Sequence, residues 1–299
     1  MLLIDTIRYL KRRADKRPVY LKNFIDQSHH HGTRSSDPSV EIIIPTRDKV
    51  DLLRACVESI FRETTYRNYR LTIVDNQSVE PATHDYLGKL KARGVTILQY
   101  PHVFNYSAIC NLAAASTDAE YLCFLNNDTE VISPKWLGNL IDHSVQKEVG
   151  VVGPLLLYAN KNVQHVGTSI GYKGIAGHVF AGLSLSELEH KNLPPTCFEL
   201  SAVTFACAVT PRSLYQAVGG LDEDLSVGLN DVVFCLRMRS RGLRQVECFE
   251  SSLIHHESVS RKSTKSSLVG ALVAVREVLT TLRKYDWRYS DDYFEFLDK

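Results

Sequence analysis

The sequence predicts an α/β protein with a mostly parallel central sheet flanked by helices. Two observations carry this expectation. From residue 40 to about residue 140, short apolar runs rich in β-branched residues alternate with stretches of helical periodicity. Such alternation builds right-handed strand–helix–strand units around a parallel sheet. The runs are also continuously apolar, as strands buried on both faces are. At 299 residues, with 44% hydrophobic and 23% charged residues, the chain suits one large domain carrying appendages.

In chain order, residues 1–17 have Leu3, Ile7 and Leu10 at helical spacing among Arg8, Lys11, Arg12, Arg13, Lys16 and Arg17, and Pro18 ends the pattern. This predicts a basic amphipathic helix. It suits either contact with an acidic membrane surface or docking on its own domain or a partner. Residues 1–36 hold eight Lys/Arg against three Asp/Glu, and residues 28–39, with His29, His30 and His31, read as a polar linker. Val40–Ile44 is then a buried strand closed by Pro45, residues 49–62 a helix, Tyr69–Val74 a strand, 80–93 a helix, Val95–Leu98 a strand, 105–117 a helix and Tyr121–Leu125 a strand. Pro134 and Trp136 open a further helix. Residues 266–284 predict a last helix through Leu268, Leu272, Val275, Val278 and Leu282, so the divisions expected are 1–39, 40–262 and 263–299.

In open parallel sheets ligands bind at the carboxyl ends of the strands. Here those ends read Pro45-Thr46-Arg47-Asp48, Asp75-Asn76-Gln77-Ser78 and Asn126-Asn127-Asp128. One such end is an ordinary turn, since Asp and Asn favour turns; three on one edge make a candidate site. No Gly-rich phosphate loop follows the first strand, so a nucleotide there must be held by side chains and a metal.

Charge and cysteines narrow the class. A net charge of +1 gives no general case for nucleic-acid binding. Seven cysteines without CxxC spacing sit mostly in apolar runs and read as free thiols in a reducing compartment. The first apolar cluster is too short for a signal peptide, and no run approaches the roughly 20 apolar residues of a membrane span. The expected location is the cytoplasm, with association at the inner face of the membrane tied to the first helix.

The ordered set Ile43-Ile44-Pro45-Thr46-Arg47-Asp48, Ile73-Val74-Asp75-Asn76, Phe104-Asn105-Tyr106-Ser107-Ala108 and Leu125-Asn126-Asn127-Asp128-Thr129-Glu130 resembles the inverting family 2 glycosyltransferases of GT-A fold. Gln164-His165-Val166-Gly167, Gly177-His178, Gly219-Gly220-Leu221-Asp222-Glu223, Asn230-Asp231 and His255-His256-Glu257-Ser258-Val259-Ser260-Arg261 continue it in order, over about residues 40–262. The nearest subgroup is the bacterial enzymes that build O-antigen and capsule.

The resemblance implies a nucleotide-sugar donor, a saccharide or lipid-linked saccharide acceptor and a divalent cation, Mn or Mg. Asp128 and His255 would hold the metal, with His256 as the rival histidine. Asn126 stands at the first position of the DXD-type motif and, uncharged, would contact ribose or sugar beside Asn127. Asp75 would accept from a pyrimidine imide, while Pro45, Thr46, Asp48 and Ser78 line the nucleoside pocket and Arg47 and Arg261 touch phosphate. Asn105 and Asn111, at the start and along one face of a helix, would lie near the donor. Asp231 would be the base that deprotonates the acceptor hydroxyl, with Asn230 and His178 toward the acceptor. Val233 occupies a position where the family often has a further Asp, so no second carboxylate is implied there. Two alternatives stand beside this reading: a nucleotidyltransferase, which would carry the glycines that Pro45–Asp48 lacks, and a catalytically inactive binding protein on the same fold.

Overall fold

The computed structural model describes residues 37–170, 176–191, 193 and 196–256. The expected first helix, most of the linker, Arg261 and the extension 263–299 lie outside the described residues. The strands are β1 (Val40–Thr46), β2 (Tyr69–Asp75), β3 (Thr96–Gln99), β4 (Tyr121–Leu125), β5 (Thr129–Val131), β6 (Val149–Leu157), β7 (Val163–His165), β8 (Thr168–Ile170), β9 (Ala176–His178), β10 (Cys197–Glu199), β11 (Cys207–Pro211) and β12 (Arg244–His255). The helices are α1 (Val50–Glu63), α2 (Pro81–Ala92), α3 (Tyr106–Ala115), α4 (Trp136–Ser144), α5 (Leu185–Glu189), α6 (Arg212–Ala217) and α7 (Asn230–Arg239). The elements expected between residues 40 and 125 form within a few residues of their expected bounds.

The main sheet runs β10-β12-β6-β11-β4-β1-β2-β3, with β5 beside β12 and β7 beside β6. Strands β3, β2, β1 and β4 are parallel. Beyond β4 the sheet is mixed: β11 is antiparallel to both β4 and β6, whereas β12 runs parallel to β6. Successive crossovers step outward from β1 to β3, and α3 then returns the chain to the other side of β1. The order therefore reverses between β1 and β4, the place where such sheets open a ligand crevice.

Period-2 alternation explains the two-sided core. Ile42, Ile44, Cys123 and Leu125 pack on one face against Leu53, Val57 and Ile60 of α1 and Trp136, Leu137 and Leu140 of α4. Ile43, Leu122 and Phe124 pack on the other against Ile109, Ala113 and Phe234. Fully buried Trp136 satisfies its indole by donating from Nε1 to Thr64 Oγ1 at 2.9 Å. A smaller cluster of Leu157, Val163, Val166, Phe180 and Phe198 underlies the region around β7. All seven cysteines are free and only Cys197 is not fully buried. No helix among the described residues is long and apolar enough to cross a membrane.

The amino end of β1 is secured by a buried carboxylate. Glu41, 3% exposed, accepts from Thr72 Oγ1 at 2.7 Å, Thr117 Oγ1 at 2.8 Å and Arg70 Nε at 3.2 Å, tying β1 to β2 and to the turn before β4. Replacing Glu41 by Ala strips three donors of their acceptor and is expected to lower stability by about 1–3 kcal/mol. Chemical denaturation checks this; an unchanged midpoint would contradict it.

Candidate active site

The carboxyl ends of β1 and β2 are locked together by side chains serving backbone groups. Asp48 and Lys49 both adopt left-handed conformations, with φ of 51° and 57°. Asp48 Oδ1 accepts the N–H groups of Val79 and Glu80 at 2.7 and 2.9 Å, and the Asp48 N–H donates to Ser78 Oγ at 2.8 Å. Asp75, 1% exposed, accepts the Ser78 N–H through Oδ1 at 3.0 Å. Asp48, Ser78 and Asp75 thus first fix the chain. Pro45, Thr46 and Arg47 line the open cleft together with Lys49, Leu52, Phe104, Tyr106, Asn126, Asn127, Asp128, Phe205, Asn230 and Asp231. Asp75, expected to read the base, is not part of that wall.

The end of β4 carries the candidate metal pair. Asp128 Oδ1 and His255 Nε2 lie 3.2 Å apart, and both residues are buried. His255 Nδ1 meets Gln164 Oε1 at 2.7 Å, while Gln164 Nε2 donates to the His255 carbonyl at 3.1 Å. The glutamine oxygen can only accept, so Nδ1 of His255 carries a proton. The Asn126 amide nitrogen also faces Nε2, at 3.3 Å. Nε2 and a carboxylate oxygen thus face each other, a juxtaposition that needs a proton or a cation between them. Two neighbouring ligands of one divalent ion sit about 3 Å apart when each bond is about 2.1 Å; the residues present fit such an ion. Burial pushes the Asp128 carboxyl up, but the hydrogen bond and charge available from His255 outweigh it and leave the carboxyl below its ordinary range. His256, the rival, turns away to Glu130 Oε1 at 2.7 Å. Asn127 donates to Thr46 Oγ1 at 3.0 Å and joins the β4 end to β1.

Asp231 enters the cleft at the start of α7, where its Oδ1 accepts the Val232 N–H at 2.8 Å and its Oδ2 faces the Phe205 N–H at 3.4 Å. The loop that delivers it is clamped by α3. Asn111 Oδ1 accepts from the Leu221 N–H at 3.0 Å and Tyr215 OH at 2.6 Å, and its Nδ2 donates to the Leu221 carbonyl and to Glu223 Oε1. Asn105 Oδ1 caps α3 at the Ala108 N–H, and its Nδ2 donates to the Glu223 carbonyl at 2.7 Å. Ser107 donates to the Leu225 carbonyl and receives the buried Asn230 amide. Asp222 pairs with Arg237 one face along α7. Asn105 and Asn111, expected near the donor, both tie α3 to residues 221–223, Asn105 through the Glu223 carbonyl and Asn111 through Leu221 and Glu223. Asn230 likewise is an internal tie, although it borders the cleft.

His178 is exposed and stands outside the cleft wall; its Nδ1 lies 2.6 Å from Nδ1 of buried His165, whose Nε2 is 3.0 Å from Glu247 Oε1. On the opposite face, His143, Cys248 and Glu250 bring three ligand-type atoms within 4.8 Å. Burial pushes the Cys248 thiol up to about 12, and its S–H is directed to Ser251, so that group favours the protonated thiol over a metal thiolate. Gln164, His165, Lys49 and Glu247 had no assigned role in the sequence. Gln164 and His165 were visible as part of a motif, but only the return of β12 beside β6 and β7 shows what they touch.

The family described as Glycosyl transferase family 2 matches residues 41–219. A Sinorhizobium fredii protein, y4gI, is 42% identical over 232 residues, covering 75% of this chain and 25% of that protein. The O-antigen biosynthesis protein RfbC of Myxococcus xanthus is 38% identical over 230 residues, covering 76% of this chain and 18% of that one. The chain thus spans a quarter or less of the length of these two relatives. The fold resembles GalNAc-T7, solved with UDP, GalNAc and Mn2+, at a TM-score of 0.67 and 13% identity over 87% of this chain and 50% of that one. It also resembles the mannosyltransferase PcManGT from Pyrobaculum calidifontis, solved with GDP-Man and Mn2+, at 0.60 and 14% over 99% of this chain and 75% of that one. These likenesses show a GT-A fold.

The clamp makes a sharp prediction at Gly220, whose φ is +69° and where an added Cβ would lie 2.5 Å from Asn111 Oδ1. Gly220→Ala is expected to destabilise the chain by about 1–3 kcal/mol. A denaturation midpoint equal to that of the wild type would contradict it.

Proposed function

The chain belongs to glycosyl transferase family 2, and from that premise we propose that its cleft moves a sugar from a nucleotide-diphosphate donor, a UDP- or dTDP-sugar, to an acceptor hydroxyl with inversion. The acceptor class we propose is a growing surface polysaccharide or a lipid-linked saccharide. The O-antigen role named for the Myxococcus relative supports this. The observation that carries the reading is the convergence of Asp128, backed by His255, and Asp231 on one cleft at the point where the strand order reverses.

A divalent cation, Mn or Mg, held by Asp128 and His255 would neutralise the charge that builds on the departing diphosphate. The Mn2+ with which both structural neighbours were solved supports that choice of cofactor. Arg47 and Lys49, the cations bordering the cleft, favour the same anionic group. Asp231 takes the proton of the acceptor hydroxyl as its oxygen attacks the anomeric carbon. One carbon–oxygen bond forms on the face opposite the one that breaks, and the nucleoside diphosphate leaves with the bonding electrons. Val233 lies fully within the core, which agrees with a single carboxylate acting at this helix start. The free, buried cysteines fit a reducing, cytoplasmic setting. Contact of the basic first helix with the inner membrane face stays part of the proposal, and nucleic acid has no place in it.

Incubation with UDP- and dTDP-sugars and Mn is expected to release nucleoside diphosphate from one donor class. Absence of turnover with all of them would favour an inactive binding protein. Asp231→Asn should lower kcat by about 10²–10⁴-fold while calorimetry shows nucleotide affinity retained. Asp128→Ala should abolish the metal-dependent part of nucleotide binding in the same titration; metal dependence that persists would displace the metal from this pair.

A further inference from the structure

We propose that Glu247 and His165 form a neutral carboxylic acid–imidazole pair that positions the Thr204–Phe205 backbone against Asp231. The effect on catalysis rests on the reading of Asp231 as the base; the state of the pair does not.

Both side chains are 1% exposed. His165 Nε2 has two partners, Glu247 Oε1 at 3.0 Å and the Thr204 N–H at 3.2 Å. A backbone N–H can only donate, so Nε2 is the acceptor and carries no proton. The proton shared with Glu247 therefore sits on the carboxyl, which donates it to the imidazole. Neutral His165 then carries its hydrogen on Nδ1 and donates it to His178 Nδ1. Glu247 Oε2 is buried without a hydrogen-bond partner, tolerable for a neutral acid and costly for a carboxylate. The surroundings agree: burial drives the Glu247 carboxyl well above its ordinary range and takes the His165 imidazole down to about 3. The space is provided by two glycines. A Cβ at Gly153 would lie 3.1 Å from Glu247 Oε2, and one at Gly167, whose φ is +110°, would lie 3.1 Å from Glu247 Cγ and 2.1 Å from Leu200 Cδ1.

The pair is connected to the cleft through three consecutive residues. Thr204 is held by His165, the next amide at Phe205 faces Asp231 Oδ2 at 3.4 Å, and the Ala206 carbonyl accepts the Asn126 N–H at 2.9 Å. Moving His165 would release the segment that separates the base from the β4 end. A protonated acid in this place is mimicked by glutamine, whose amide also donates, whereas an ionised carboxylate is not.

The test uses the full chain with E247Q, E247A, H165Q and H165L. In 15N-histidine spectra of the wild type, the signal absent from H165Q is expected to report a neutral ring protonated at Nδ1; an imidazolium or an Nε2–H ring overturns the pair. Amide exchange at Thr204 and Phe205 should stay as in the wild type in E247Q and quicken by about tenfold or more in H165L. Equal exchange in both overturns the positioning. With a turned-over donor, E247A should lose about tenfold or more in kcat with donor KM unchanged, and E247Q should restore it. A loss that falls on KM, or that E247Q shares, overturns the link to Asp231. If the wild type turns over no donor, the sugar-transfer reading fails, while the ring state and the exchange rates still decide the pair. Those two measurements also decide it if E247A does not fold.

Discussion

Strand β4 is the constraint on which the site depends. It is hydrogen-bonded along one edge to parallel β1 and along the other to antiparallel β11. Because β1 and β4 run the same way, their carboxyl ends open on one side, and Thr46 and Asn127 can bond across the gap. Because β11 runs the opposite way, its amino end meets the same place, bringing Thr204, Phe205 and Ala206 beside Asn126. A slip of one residue in either pairing would send Phe124 and Leu125 to the wrong faces and rotate Asp128 out of the cleft.

Around that edge, much of the polar chemistry holds backbone rather than facing solvent. Asp48 and Ser78 stitch two loops together, and Asn111 satisfies both the N–H and the carbonyl of Leu221, just after the left-handed Gly219-Gly220 pair. Buried amides in loops need such partners, since water cannot reach them. Consequently only a few groups on the described cleft wall are left for chemistry: Arg47, Lys49, Asp128 and Asp231 are its charged members.

Two buried acid–histidine pairs flank this wall and differ in kind. Asp128 meets an imidazole whose distal nitrogen is already donating to Gln164, so its own side invites a proton or cation. Glu247 meets an imidazole nitrogen that a backbone amide already donates to, so the proton belongs on the acid. Similar distances of 3.2 and 3.0 Å thus support opposite electrostatics. The third partner of each histidine decides which.

The sequence by itself determined the layered α/β architecture, the early strands and helices, and the strand ends that converge, because hydrophobic period and turn residues are local signals. It also drew attention to Asp128, Asp231 and His255 through ordered motifs. Tertiary structure alone decided which groups face the cleft. Asp75 reads as a binding residue in sequence and is buried, accepting the Ser78 N–H; Asn105 and Asn111 read as donor-side residues and bond residues 221–223. His255 is separated from His256 only by the pairing of β12 with β5, which turns one ring toward Asp128 and the other toward Glu130. The reach of a side chain across 90 to 130 residues of chain depends on strand order and register, and no local pattern carries that information.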